Sequence, residues 1–171
     1  IGKKYGKELI DLLKTSYQKG DTLEQSTRKL VHHLFKDFGL LLLDGDNPLL
    51  KKSMIPYFEN ELLNHELEKL TENKRAFLKD KYGKVQVNPR EINLFYLTDT
   101  RNRIVLQNGD YHVLNKNIHF TKDEILNELY NSPEKFSPNA VLRPIYQEVV
   151  LPNIMYIGGN EEVAYWLELS D

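Results

Sequence analysis

The chain has 171 residues, with 23 lysines and arginines against 25 aspartates and glutamates, a formal net charge of −2. That balance leaves no basic surplus to neutralise phosphates, which argues against nucleic acid as the main partner. There are no cysteines, which excludes disulfides and thiolate metal sites, and the apolar run Leu40–Leu43 is far too short to span a bilayer. The expectation is a cytoplasmic protein with no membrane contact.

Residues 3 to 18 carry Leu9, Ile10, Leu12, Leu13 and Tyr17 at helical spacing, and Gly20 ends the predicted helix. Thr22 and Gln25 have the spacing of a capping box for a second helix with Leu23, Leu30, Val31, Leu34 and Phe35 on its apolar side. Phe38-Gly39 then turns into Leu40–Leu43, read as a buried strand. Asp44-Gly45-Asp46-Asn47-Pro48 follows, with Asp46 or Asn47 as helix cap and Pro48 in the first turn. Pro56 should kink or divide the next helix, and Tyr57 to Lys81 reads as one long charged helix.

Composition then changes. Lys84–Val87, Ile92–Leu97, Ile104–Leu106 and Tyr111–Leu114 are strand candidates, and Asn108-Gly109 predicts a type I′ hairpin between the last two. Thr121 and Glu124 form another capping box, for a helix from Lys122 to about Tyr130. Ser137 caps a predicted helix with Pro138 at its first position, and Val141, Leu142, Ile145, Val149 and Val150 recur at helical spacing. Pro152 stops it, Asn153–Ile157 suits a buried parallel strand, and Gly158-Gly159 leads into a last helix containing Trp166, read as core.

Two strand–turn–helix junctions of this kind describe an α/β fold: a partial Rossmann-like core with a small inserted α+β segment that contains the hairpin. The expected organisation is 1–82 for helices and the first βα unit, 83–120 for the inserted strands, and 121–171 for the unit that completes the core. A strand running into Gly-Gly and a helix N-terminus builds an anion-friendly crevice.

Several residues can supply chemistry there. Asp44 and Asp46 can bind a hydroxyl, an amine or Mg²⁺, or serve as turn former and helix cap. Gly158 and Gly159 admit a phosphate or carboxylate to backbone amides, or form a plain tight turn; without G-x-G-x-x-G there is no dinucleotide fingerprint. Arg143 and Gln147 share a helix face, and Arg143 grips a carboxylate belonging either to a ligand or to the protein. The histidines lack zinc spacing, so no metal is expected, and neither a P-loop nor a G-x-S-x-G motif occurs.

Particular words go further. LFKDFGLLLLDGDNP from Leu34, LFYL from Leu94, FSPNAVLRPIYQEVVLPNIMYIGG from Phe136 and EEVAYWL from Glu161 resemble the bacillithiol biosynthesis cysteine-adding family, BshC. The resemblance covers most of the chain in order. It implies a Rossmann-like core related to nucleotidyltransferases and class I aminoacyl-tRNA synthetases, and a cysteine ligase that joins L-cysteine to the amine of glucosaminyl malate. ATP or another nucleotide is implied as activator. The family's GHQ-type and EDHD-like segments and its C-terminal coiled coil do not appear in this sequence. The chain therefore reads as the middle of a longer protein, inactive and monomeric alone, whose full-length form is a homodimer through the coiled coil. By matching motif positions, Asp44, Asp46, Ser137, Asn139, Arg143, Gln147, Gly158 and Gly159 line the substrate crevice. Asn160-Glu161 departs from the proline-glycine type pair expected after the two glycines. Two other classes are a non-catalytic scaffold domain and a nucleotidyltransferase acting on another substrate.

Overall fold

The computed structural model describes residues 3–85 and 87–169. The chain divides into two compact units, Ile1–Asp44 and Gly45–Asp171.

In the first unit, α1 (Lys3–Ser16) packs against α2 (Leu23–Phe35). Gly20, at a φ of +99°, makes the left-handed turn between them, where a side chain would be strained. The capping box forms: Gln25 N donates to Thr22 Oγ1 at 3.2 Å, and Thr22 N donates to Gln25 Oε1 at 3.0 Å.

The second unit opens with α3 (Pro48–Lys52), where the Asn47 side chain accepts from Leu49 N at 2.9 Å. Next come α4 (Ile55–Asn64) and α5 (Glu66–Tyr82). The single long helix expected over Tyr57–Lys81 is thus two. His65 breaks it in the left-handed region (φ +51°), held by a 2.9 Å bond between its Nδ1 and the Glu91 carbonyl. Pro56 sits in the first turn of α4, where its missing amide leaves nothing unpaired.

The strands are β1 (Leu94–Leu97), β2 (Arg101–Gln107), β3 (Asp110–Val113), β4 (Ile118–Phe120) and β5 (Phe136–Pro138), with α6 (Lys122–Asn131) before the last. They form one antiparallel sheet in the order β4-β3-β2-β1-β5. The Asn108-Gly109 hairpin forms as expected, both residues at positive φ (54° and 91°). One face of the sheet carries Leu94, Tyr96, Ile104, Tyr111, Val113 and Phe136 into a core with Met54, Phe58 and Leu62 of α4 and Ile125 and Leu129 of α6. The helices α7 (Arg143–Val150) and α8 (Asn160–Leu167) complete the unit.

Three further expectations are corrected. Ser137 and Pro138 do not begin a helix. They lie in β5, opposite Phe95 and Leu94 of β1, because Phe136 is drawn fully into the core and the ladder continues past it. The helix starts instead at Arg143, after Asn139 Oδ1 has accepted the amides of Val141 and Leu142 at 2.8 and 3.1 Å. Second, neither Leu40–Leu43 nor Asn153–Ile157 pairs as a strand. An apolar run becomes a strand only where a neighbour receives its amides and carbonyls, and among the described residues none does. Leu41, Ile154, Met155 and Ile157 are exposed. Third, Lys84–Val87 forms no strand among its described residues; Gln86 lies outside them. Among the described residues no helix is long and apolar enough to cross a membrane.

Candidate functional site

Five side chains, from Asp46, Lys51, Arg101, Ser137 and Tyr146, meet where the loop before α3 touches β5. Lys51, 1% exposed, reaches out of α3 to donate to Asp46 Oδ1 at 2.9 Å and to the carbonyls of Glu134, at 3.4 Å, and Phe136. A buried ammonium needs such partners, because an unpaired one would cost several kcal/mol, about 3–5 when a partner is removed. Ser137, next along β5, accepts from Arg101 Nε at 3.1 Å, and Arg101 Nη2 donates to the Pro138 carbonyl at 2.8 Å. Burial pulls Arg101 below the ordinary arginine value, opposed by the Asp46 charge. Tyr146 of α7 donates to the Gly45 carbonyl at 3.0 Å. The Asp46 side chain stays 65% exposed while its partner is buried, so a carboxylate faces solvent from a fixed base. Such a group can bind an amine or a hydroxyl.

Behind this corner runs a buried polar chain. Asn93 donates through its backbone N and its Nδ2 to Glu61 Oε1, each at 2.7 Å, and Asn139 Nδ2 donates to Asn93 Oδ1 at 2.7 Å. Burial raises the Glu61 carboxyl above the usual range, against the Asn93 hydrogen bonds and the field of His65, which lower it. The side chain of Asn139 is therefore committed to Asn93 and to the turn before α7.

Arg143 belongs to a separate cluster. Its Nη2 donates to Glu162 Oε1 at 3.3 Å and to the Tyr165 hydroxyl, both on α8. Glu162 also accepts from Gly159 N at 3.4 Å, so the protein's own carboxylate sits at the α8 N-terminus. A Cβ on Gly158 would lie 2.5 Å from the Tyr156 ring, which would have to swing aside to admit it. That ring stacks on Trp166, centroids 4.3 Å apart. Gln147 is half-buried on α7, one turn beyond Arg143.

Of the eight sequence-predicted residues, Asp46 and Ser137 are thus joined through Lys51 and the β5 backbone, and Arg143, Gly158 and Gly159 gather around Glu162 and Tyr156. Asn139 turns inward, and Asp44 ends the first unit. Sequence reading missed Lys51, Arg101, Glu61 and Asn93. Arg101 and Arg103 carry a usable signal, alternating with half-buried Asn102 and buried Ile104 along β2, whereas Lys51 looks like any lysine on a short helix. A cavity of about 790 Å³ between α4, α5, α7 and α8, lined by Tyr57, Leu67, Ile145, Val149 and Trp166, includes none of the eight. Among the described residues the Trp166 indole N–H in its wall has no hydrogen-bond partner.

Comparison with known proteins decides the family. Residues 2–171 match the family described as "Bacillithiol biosynthesis BshC, N-terminal Rossmann-like domain". The chain belongs to this family. It is 51% identical to a protein of Flavobacterium psychrophilum over 160 residues, covering 93% of this chain and 30% of that one. Against a protein of Flavobacterium johnsoniae the identity is 49% over 163 residues, with 95% and 30% covered. A protein of Bacillus cytotoxicus is 29% identical over 172 residues, with 97% and 32% covered. All three bear the name "Putative cysteine ligase BshC". The chain spans about a third of the length of these curated relatives. The BshC family is Rossmann-like, and the strands formed within this chain are the antiparallel sheet of a mixed α/β unit.

Proposed function

We propose that this chain is part of a cysteine ligase of bacillithiol biosynthesis, which joins the carboxyl of L-cysteine to the amine of glucosaminyl malate. The carrying observation is the family match over nearly the whole chain, in relatives bearing the cysteine ligase name. Forming that amide needs a carboxyl activated by a leaving group, and ATP or another nucleotide is the proposed activator. The proposed substrate-side residues of the second unit are Asp46, Ser137, Arg143, Gln147, Gly158 and Gly159; Asn139, committed to Asn93 and to the turn before α7, is not among them. Asp46 suits the amine or a sugar hydroxyl, being an exposed carboxylate on a fixed base. Ser137 would add a hydroxyl beside it. Arg143 would take a substrate carboxylate in exchange for Glu162, an exposed pair that costs little to open. We further propose that the full-length protein works as a homodimer, as the coiled coil implied by the family resemblance suggests, and that residues 1–171, about a third of the relatives' length, do not couple alone.

The test is a coupling assay with full-length protein, cysteine, glucosaminyl malate and ATP, following the thiol product by mass. Asp46→Asn is expected to lower kcat/KM by about tenfold or more, the loss of roughly one charge-assisted hydrogen bond. Full-length protein that makes no product, yet releases pyrophosphate with another amine or alcohol, would replace the ligase reading with a nucleotidyltransferase one. Coupling by residues 1–171 at the full-length rate would overturn the claim that the piece is inactive.

A further inference from the structure

The second face of the sheet, turned away from the core, continues from Ser137 to two arginines that are not among the proposed substrate-side residues. Residues opposite one another in an antiparallel pair share a face, as do residues two apart along a strand. Phe95 lies opposite both Arg103 and Ser137, and Leu97 opposite Arg101, so these five residues share the outward face. Arg101 lies over the Phe95 ring, its guanidinium carbon 3.8 Å from the centroid, and Arg103 approaches the same ring at 5.9 Å. Both arginines are exposed, although the Arg101 guanidinium is partly covered where it meets Ser137 and Pro138.

We propose that Arg101 and Arg103 form a binding subsite for an oxyanion, a carboxylate or a phosphate. Among the described residues neither guanidinium has an acid within ion-pair distance; Asp46, whose field reaches Arg101, pairs with Lys51. Two like charges near one ring repel, and the ring offers no hydrogen-bond acceptor to their N–H groups. Cation–π contact at an exposed site contributes only about 0.5–1 kcal/mol. An oxyanion between the two relieves the repulsion and accepts from both.

The site is also preorganised. Ser137 Oγ and the Pro138 carbonyl fix Arg101 through Nε and Nη2, and the planar fork then presents its remaining donors in a set direction. Along β2 the two side chains stem from residues about 7 Å apart, given the strand rise, a span that one carboxylate or phosphate group can bridge with two long side chains. A long aliphatic arm on a sheet residue normally carries a rotamer-entropy cost on binding. Here the contacts to Ser137, Pro138 and Phe95 have already removed much of it for Arg101. The inference does not rest on the ligase reading, since it needs only this geometry.

The test is calorimetric titration of the full chain with three separate probes: malate, inorganic phosphate and ATP, at about 0.15 M salt. The wild type is expected to bind at least one, malate reporting a carboxylate site and phosphate or ATP a phosphoryl site. Arg103→Ala should weaken that probe at least tenfold and Arg103→Lys by less, because a lysine keeps the charge but loses the fork. Arg103 makes no side-chain hydrogen bond among the described residues, so the fold should survive, checked by an unchanged melting curve. Arg28→Ala, in the first unit, should leave the affinity unchanged. Binding of none of the probes, equal affinity in Arg103→Ala, or an equal loss in Arg28→Ala would overturn the proposal.

Discussion

Phe136 and Ile154 stand 18 residues apart and Ile154 lies in the more apolar run, yet Phe136 is fully buried and Ile154 fully exposed. Phe136 opens β5, whose neighbour β1 receives its ladder, and its ring meets Tyr96 edge-on at 5.6 Å. Ile154 follows Asn153, which is tied back to Glu148 of α7 by bonds of 3.0 and 2.7 Å, and then meets no strand among the described residues. Apolar content gives a segment a reason to be buried. A partner decides whether it is.

Mutations along the chain can break or sharpen this contrast. The largest effect belongs to Phe136→Ala, which leaves a cavity under β5 and should cost about 3–5 kcal/mol in urea unfolding. A loss below 1 kcal/mol would mean that β5 is not held by its core residue.

Next comes the buried polar chain. Glu61→Ala strands the Asn93 donors and should cost about 1–3 kcal/mol. Glu61→Gln keeps an acceptor and should cost less. The sign of the pH dependence follows from the raised carboxyl. The folded state holds the Glu61 proton to higher pH than the unfolded chain, whose carboxyl titrates near the ordinary 4.5. Glu61 therefore makes a contribution that is full below that value and is lost as pH rises through the folded-state pKa. Urea midpoints measured across that window should show this slope in the wild type and lose it in Glu61→Gln; an unchanged slope would remove Glu61 as its source.

Gly109→Ala should cost about 1–2 kcal/mol, since Gly109 holds a φ of +91° with open space around it, so the penalty is conformational rather than steric. Ile154→Ser should be smallest, within about 0.5 kcal/mol, as expected of an exposed site. A loss of several kcal/mol there would show that Ile154 is covered in solution.

The same contrast explains what was legible in the sequence. Signals closed over a few residues held: both Thr capping boxes, the Asn47-Pro48 helix start and the Asn108-Gly109 hairpin each satisfy their own backbone groups locally. Expectations that needed a distant partner did not. Ser137-Pro138 has the grammar of a helix start, but Phe95 lies opposite it in β1, and the ladder overrides the local preference. The family was readable because the words from Phe136 to Leu167 are long. Contacts such as Lys51 with Phe136, or Arg101 with Ser137, join residues 85 and 36 positions apart and leave no local trace.

Lys51 and Lys52 are neighbours in sequence with opposite fates, one sealed beneath β5 and the other on the surface. An amine-acylating reagent must wait for the Phe136 carbonyl of β5 and the Glu134 carbonyl before it to let go of Lys51, while Lys52 reacts at once. The pair therefore makes a built-in clock: the ratio of label on the two adjacent positions, read from one peptide, times how often the last strand of the sheet undocks.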